Sequence, residues 1–511
     1  MRFASLARRT ATVSSLLIVC SAHIGSPDAV YEGAAGPYHV FVRVETPPVV
    51  PGVANVFVRV TGAGVQEVGV QGNRYDALAA APPPEKAKPV EGEANLYSAP
   101  LWIMTGGSNS VSVYVRGALG SGKAIIPVVV VASRMLALDP RLGAGLIVVG
   151  TFLFVGLITI VGAAFREGVL APGVQPDAGR KVKARTAMAL TTAFMALVLF
   201  GGSKWWTSEE RAFKRSIFKP LKASAVATTG NAPRLEFLIS DSIWRMRNDT
   251  AWLRRNSASR WTPIIPDHGK LMHLFAVREP DMDAFAHLHP VTTDSLKFSA
   301  ALPPLPPGRY RVYGDIVHES GFTQTLSTHV EITGALRDAG NLSDADDGWH
   351  VATAGLSPSR AVLEDGSVMT LAAPAGGFVE RRDATLQVTV RTAAGQPLSL
   401  ESYIGMPGHA VVTRDDGSVF VHLHPSGTIS MASQMTFLMR QPGDSIAGTL
   451  SKRLEASEMT HVMEQAADVV GAVSFPYAFP KAGRYRVWIQ VKNAGRILTG
   501  AFALEVQPAK S

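Results

Sequence analysis

The stretch HAVVTRDDGSVFVHLH, His409 to His424, decides how this chain is read. Apolar residues alternate on both sides of Asp416-Gly417, a dipeptide favoured in two-residue type I′ hairpin turns. Pairing around that turn sets His409 opposite His424 and Val411 opposite His422. Side chains alternate along a strand, so His422 and His424 share one face with His409. Directly opposed Cβ atoms lie about 5 Å apart. Three imidazoles therefore gather at one end of one face, beside Val411, Thr413 and Phe420.

A second copy lies upstream as HLFAVREPDMDAFAHLH, His273 to His289. It is one residue longer, so its turn is odd in length, around Glu279 to Asp283. That turn sets His273 opposite His289 and Phe275 opposite His287. The repeat extends further: FAHLHP (285–290) and FVHLHP (420–425) are each followed by GRYRV, at 308–312 and 483–487. The second interval is longer by 40 positions, an insertion at roughly 430–472. Two copies of one supersecondary unit are thus visible within a single chain.

Clustered neutral imidazoles suit copper, as Cu(I) or Cu(II), or zinc better than calcium or magnesium, which take oxygen. The candidate metal ligands are His273, His287 and His289 in one copy and His409, His422 and His424 in the other. His318, in DIVHESG, is a candidate fourth ligand, and His268, in PDHGK, lies near the cluster or caps a loop. In the insertion, Met431, Met435 and Met439 recur at helical spacing, and MTHVM supplies Met459, His461 and Met463. Thioethers with imidazole select Cu(I), although methionine equally fills core gaps. Met406, three residues before His409, has the same two readings. A histidine site at the end of a sandwich is where cupredoxin-like folds bind copper, an analogy of fold only.

The rest of the chain places these units. Arg2, Arg8 and Arg9 precede TVSSLLIVCSA, a secretory signal pattern with cleavage after Ala22. The single cysteine, Cys20, lies in that leader, so the mature chain has no disulfide and no thiolate ligand. Residues 144–165 are apolar and uncharged, and 186–206 form a second apolar segment ending on Trp205 and Trp206. The loop 166–185 carries Arg166, Arg180, Lys181, Lys183 and Arg185. The positive-inside rule puts it in the cytoplasm and both flanks outside. The net charge of +8 is therefore a topology signal rather than a nucleic-acid footprint, and no nucleic-acid partner is expected.

The fold class is mainly β: three immunoglobulin- or cupredoxin-like β-sandwich units plus a two-helix transmembrane hairpin. The units span 37–133, 233–333 and 357–507, with linkers at 207–232 and 334–356. PLWIMTGGSNSVSVYVRG and its neighbouring strands resemble the YtkA-like family of small exported bacterial β-sandwich domains. The distal units, with DHGKLMHLF, AHLHP and GRYRVYGDIVHESGF, resemble a related group of secreted bacterial proteins found beside copper-handling neighbours. The resemblance implies an envelope protein of the bacterial cytoplasmic membrane, its sandwiches on the outer side. Its implied partners are a copper transporter, an oxidase or another envelope protein.

Catalytic signatures are lacking: GTISMAS is no nucleophile elbow, GALGSGK lacks the spacing of a phosphate loop, and there is no H-E-x-x-H. The sequence thus points to an exported metal-binding protein that transfers, stores or senses copper. The rival is an interaction scaffold in which histidines serve structure. A third class is a copper-dependent oxidoreductase with an open three-histidine position.

Overall fold

The computed structural model describes residues 28–76, 81–248, 262–336, 344–353, 355–441, 444, 448–456 and 469–509. The leader with Cys20, and Met459, His461 and Met463, lie outside the described residues.

The chain is mainly β, built as three two-sheet sandwiches and a helical hairpin. In the first sandwich a five-stranded sheet runs Asp28–Ala35, Tyr38–Glu45, Gly52–Thr61, Leu96–Ile103 and Lys88–Pro89. It faces a four-stranded sheet that includes Val65–Arg74, Gly107–Gly117 and Gly120–Val130. Alternate valines, such as Val40, Val42 and Val44 against Val111, Val113 and Val115, fill the core. The unit begins at Asp28 rather than 37. DAVYEGAA is too rich in small residues to show a period, but Tyr38–Glu45 pairs with its whole length.

Two helices, Pro140–Glu167 and Ala178–Ser216, are long and apolar enough to cross a bilayer. Both outrun the expected 144–165 and 186–206. Asp139 caps the first, accepting from the Arg141 N–H at 2.7 Å, and Asp177 caps the second through Arg180 N–H at 2.7 Å. Arg180, Lys181, Lys183 and Arg185 therefore ride on the second helix, and the loop shrinks to 168–177. Gly162 lets the helices touch, since a Cβ there would lie 2.6 Å from Met188 Sδ. Most of the remaining apolar surface is bare of protein, as at Phe152, 76% exposed.

The first half of the expected 207–232 linker continues the second helix, and the second half contains Ala223–Thr228, a strand of the second sandwich. ASAVAT holds only small side chains, so its alternation is easily missed. This strand, Arg234–Ile239 and Lys297–Ala301 form one sheet. The other runs Ile264–Ile265, Gly308–His318, His273–Arg278, Ala284–Leu288 and Gly348–Val351, with Thr323–Ile332 also on Gly308–His318. Gly348–Val351 lies in the expected 334–356 linker, yet it pairs with the histidine hairpin, Gly348 opposite His287. In the third sandwich, His409–Arg414 lies between Gly483–Asn493 and Phe420–Leu423.

Both hairpins hold the register read from sequence: Phe275 opposes His287 and Val411 opposes His422. The turn at Asp416-Gly417 differs in type. Arg414 N–H donates to Val419 O at 3.0 Å and Gly417 N–H to Arg414 O at 2.8 Å, closing a four-residue loop in which only Gly417 has positive φ, 67°. That is a type I turn followed by a left-handed glycine. It is centred on the same point as the two-residue turn, so the pairing survives.

Each hairpin is buried on both faces. Leu274, Ala276, Ala286 and Leu288 enter the core of the second sandwich, and Ala410, Val412, Val421 and Leu423 that of the third. The opposite faces meet each other: Phe275, Val277, Phe285 and Tyr313 pack against Val411, Phe420 and Trp488. The contact repeats the internal symmetry. Phe285 stacks on Trp488 at 4.6 Å between centroids, and Phe420 on Tyr313 at 3.8 Å. The histidine face thus does not cap the end of a sandwich. It is the outer face of one sandwich pressed on the outer face of the next. Trp488→Ala should cost about 3–5 kcal/mol, read as a lower thermal midpoint of the full chain. An unchanged midpoint would mean that this interface contributes nothing in solution.

Candidate metal centre

The strand before each histidine hairpin is entered by the same tight turn. Asp267 bridges Lys270 and Tyr403 bridges Met406. The central residues all have positive φ: His268 53° and Gly269 78°, Ile404 50° and Gly405 76°. This is the type I′ signature. It makes Ile404 the repeat-mate of His268 and places Met406 as the closing residue of its turn.

Packing the two outer faces together gathers His268, His273, His287, His289, His409, His422 and His424, none more than 9% exposed. Neighbouring rings lie close: 5.0 Å for His268–His424 and His273–His422, 5.3 Å for His409–His422, 4.5 Å for His422–His424, and 4.6 Å for His287–His289. Two groups present nitrogens that all lie within 4.8 Å of one another, His268 with His409 and His424, and His273 with His287 and His422.

This recombines the triads expected within single hairpins. The hairpin partners do stay close, with ring centroids 5.1 Å apart for His273–His289 and 5.3 Å for His409–His424. However, the second sandwich lends His268 to the third, and the third lends His422 to the second. The reason is the face-to-face contact, which puts each hairpin's histidines within reach of the other's. His289 stands beside the second group.

Several imidazoles are held by their Nδ1. His287 Nδ1 lies 2.8 Å from Gln490 Oε1, His289 Nδ1 3.0 Å from Asp347 Oδ1, and His424 Nδ1 2.9 Å from Ile429 O. His422 Nδ1 is 3.8 Å from Asp315 Oδ2, and Asp315 occupies the repeat position of Gln490. The three hydrogen-bonded partners fix which nitrogen of His287, His289 and His424 carries the proton and present the other, as around metal-bound histidines, whereas Asp315 lies beyond hydrogen-bond reach of His422. His273 Nδ1 is 3.1 Å from His287 Nε2, and its Nε2 is 3.3 Å from Asp267 O.

The other nitrogens are buried without partners: Nε2 of His289, His422 and His424, and both nitrogens of His409; His268 meets only the Ile404 backbone. The carboxylate oxygen nearest His268 Nε2, Asp267 Oδ1, is 3.8 Å away. A neutral imidazole always carries one N–H. An unmatched buried donor costs about 1–3 kcal/mol, so a purely structural cluster would spend stability at His409 for nothing. A metal ion would take up the other, lone-pair nitrogen of each such ring. Tetrahedral M–N bonds of about 2.1 Å place ligand nitrogens about 3.4 Å apart, inside the 4.8 Å within which each group's nitrogens lie.

Electrostatics keeps the cluster neutral. Burial, then the neighbouring imidazoles, holds His273, His287, His409 and His422 well below the ordinary histidine range. Burial also lowers His268, and it brings His424 down to about 4. Asp315 is pushed up to about 7 by burial. For Asp267, burial acts upward but is overcome by His268, His424 and His273, which lower it. Neutral imidazole is the form that ligates metal.

His318 does not join the centre. Its Nδ1 donates to Thr262 O at 2.7 Å and its Nε2 is 2.7 Å from Gln324 Nε2, so both nitrogens are used, and burial lowers it to about 4. The methionine spacing does mark a helix, Met431–Met439, capped by Ser430. Its buried side, however, is Ala432, Ser433, Thr436 and Phe437, with the methionines half-buried. The helix acts as a clamp: Ala432 N–H donates to Asp267 Oδ1 at 2.9 Å and Gln434 Nε2 to Ile125 O at 2.9 Å.

Fold and site together define a β-sandwich protein with a buried histidine centre between two homologous units. A family model described as a domain of unknown function (DUF8832) matches residues 248–334, 361–446 and 449–508. The first two stretches each hold one histidine hairpin. No curated protein matches. Among solved structures, fibronectin(III)-like modules of Clostridium thermocellum CbhA are 8% identical, covering 56% of this chain and 95% of that one, with a TM-score of 0.13. A putative membrane anchored protein from Corynebacterium diphtheriae is 8% identical over 95% of this chain and 96% of its own, TM-score 0.14. The chain spans 19%, 34% and 31% of the lengths of the first three solved chains it matches.

Proposed function

We propose that this chain is a membrane-anchored envelope protein that binds copper in a two-ion centre shared by its second and third sandwiches. One ion is held by His268, His409 and His424, the other by His273, His287 and His422, with His289 adjacent. The observation that carries the reading is the set of buried, unpartnered imidazole nitrogens converging from two units. Neutral nitrogen donors bind first-row divalent ions most tightly at copper. Three protein ligands per ion leave a position open for exchange, which fits hand-over better than permanent structural use. Zinc is the competing ion.

Titrating the full chain in detergent with Cu(I), Cu(II) and Zn(II) tests this. Two ions per chain, tighter than micromolar, are expected, with copper ahead of zinc. Affinity should fall by at least about a hundredfold in His422→Ala and His424→Ala. Binding no tighter than micromolar in the parent would sink the metal reading, and indifference to the substitutions would sink the site.

The anchoring has its own test. The chain's one cysteine is Cys20, so single cysteines can report sidedness after Cys20→Ser. Ala171→Cys, between the helices, should react with a membrane-impermeant thiol reagent only after the membrane is opened. Gly366→Cys, on the third sandwich, should react where the outer face alone is exposed. The reverse pattern would invert the topology.

A further inference from the structure

A cavity of about 220 Å³ lies where all three sandwiches meet, and it opens onto the histidine centre. Its inner wall contains His422 and His424 with His273, so it touches both triads. The Nε2 atoms of these two residues, His422 and His424, are buried without partners. Around them stand three carboxylates, Asp28, Asp267 and Asp315, one from the first sandwich and two from the second. Thr323, Thr325 and Thr428 add hydroxyls.

The first sandwich is fixed in place as the outer wall. Val30 N–H donates to Thr428 Oγ1 at 2.9 Å, Thr428 N–H to Val30 O at 2.9 Å, and Glu32 N–H to Ser426 O at 2.9 Å. Gly427 permits this approach, since a Cβ there would sit 2.1 Å from Val30 O. The segment being gripped directly follows the HLHP of the third unit. The wall therefore closes around the very residues that lead away from His424.

We propose that this cavity is the entry vestibule of the metal centre, a site where a partly hydrated copper or zinc cation is held by carboxylates before imidazoles replace its water. The inference rests on the metal reading above. Oxygen donors in the lining favour a hydrated ion, and the imidazole nitrogens beside them favour its dehydrated successor. Asp315 is the pivot of the transfer. One of its carboxylate oxygens accepts from Thr325 Oγ1 at 2.6 Å, while the other lies 3.8 Å from His422 Nδ1. It can meet the ion in the cavity and orient the first imidazole that receives it. The role of the first sandwich follows, because without it the centre would open on bulk solvent.

The test measures loading and unloading rates on the full chain in detergent, with Cu(I) or Zn(II) delivered from and removed by a coloured chelator. Thr323→Trp fills the vestibule from the second sandwich, and Val129→Trp fills it independently from the first. In each, loading and unloading should slow together by roughly tenfold, with the equilibrium affinity unchanged, as for a narrowed passage. Asp315→Asn should slow loading by roughly tenfold at low salt and by less at high salt. If either folded tryptophan variant loads at the parental rate, the vestibule is not the route. If affinity falls while unloading is not slowed, the variants have damaged the site and the proposal is overturned as well. Failure of the parent to bind either metal would strike the metal reading itself, so the two failures are distinct.

Discussion

His268→Ala will weaken metal binding in the third sandwich by on the order of a hundredfold, although residue 268 belongs to the second. The claim follows from where the ring lies. His268 sits at a left-handed position of a tight turn, φ 53°, and its ring is 5.5 Å from His409 and 5.0 Å from His424. The one further partner near the ring is the Ile404 backbone. The substitution gives up only the contact with the Ile404 backbone, so the fold should lose little. A structural histidine would behave in the opposite way, with stability falling and metal binding unmoved. Titration of the full-length variant should show one of two ions weakened and the other retained. The repeat offers a control. Ile404 is the mate of His268, so Ile404→Ala trims the equivalent turn of the third unit, keeps the backbone that meets His268, removes no imidazole and should leave both ions in place. Equal loss from both variants would place the effect in the turn and not in the imidazole.

The hairpins were legible in the sequence because period-two alternation and the HLH spacing fix register whatever the turn does. Two turns of different length, one of them of another type than its Asp-Gly dipeptide suggests, still put the histidines in the same relation. What did not follow was which surface the histidines face. A signal was present. In HLFAVR and AFAHL both the odd and the even positions are apolar, which an antiparallel strand with one wet face would not show. Phe275 and Val277 needed a second layer, and that layer is the other repeat. The recombined triads follow from that single fact.

His268 was missed as a ligand because its turn has no histidine in the second copy. Yet both copies place a glycine four residues before the strand histidine, Gly269 before His273 and Gly405 before His409. Asp347 was hidden in a stretch whose Asp and Gly content reads as linker. It instead accepts from both His289 N–H, at 2.7 Å, and His289 Nδ1, at 3.0 Å. Gln490 and Asp315 sit on strands whose other residues already explain their pattern.

Lowering the pH will unfold the metal-free histidine units well before it unfolds the metal-loaded ones. Burial brings both His424 and His318 down to about 4, against about 6.5 in an unfolded chain. Between those values the unfolded chain binds protons that the folded chain refuses. Stability is therefore full above about pH 6.5 and is lost as pH falls towards about 4. Each of the two groups contributes about 3 kcal/mol across that window. His273, His287, His409 and His422 are lowered too and act in the same direction. Asp315, pushed up to about 7, opposes them by about 4 kcal/mol over the same fall in pH; the histidines together outweigh it on the scale of an ordinary domain's total stability, about 5–15 kcal/mol, so the apo units should unfold between about pH 6.5 and 4. A bound metal changes the balance for the ligands alone, because a proton must displace the ion before it can occupy that nitrogen. His318 keeps its acid sensitivity in either state, since both its nitrogens are held by Thr262 and Gln324. Tryptophan fluorescence reports the transition directly, because Trp488 stacks in the interface and Trp244 packs edge-on against His318. Metal should move the Trp488 transition to lower pH. Unfolding that is insensitive to pH between 7 and 4 without metal would show that these imidazoles are not buried in their neutral form, and the chemistry assigned to the centre would fall with that result.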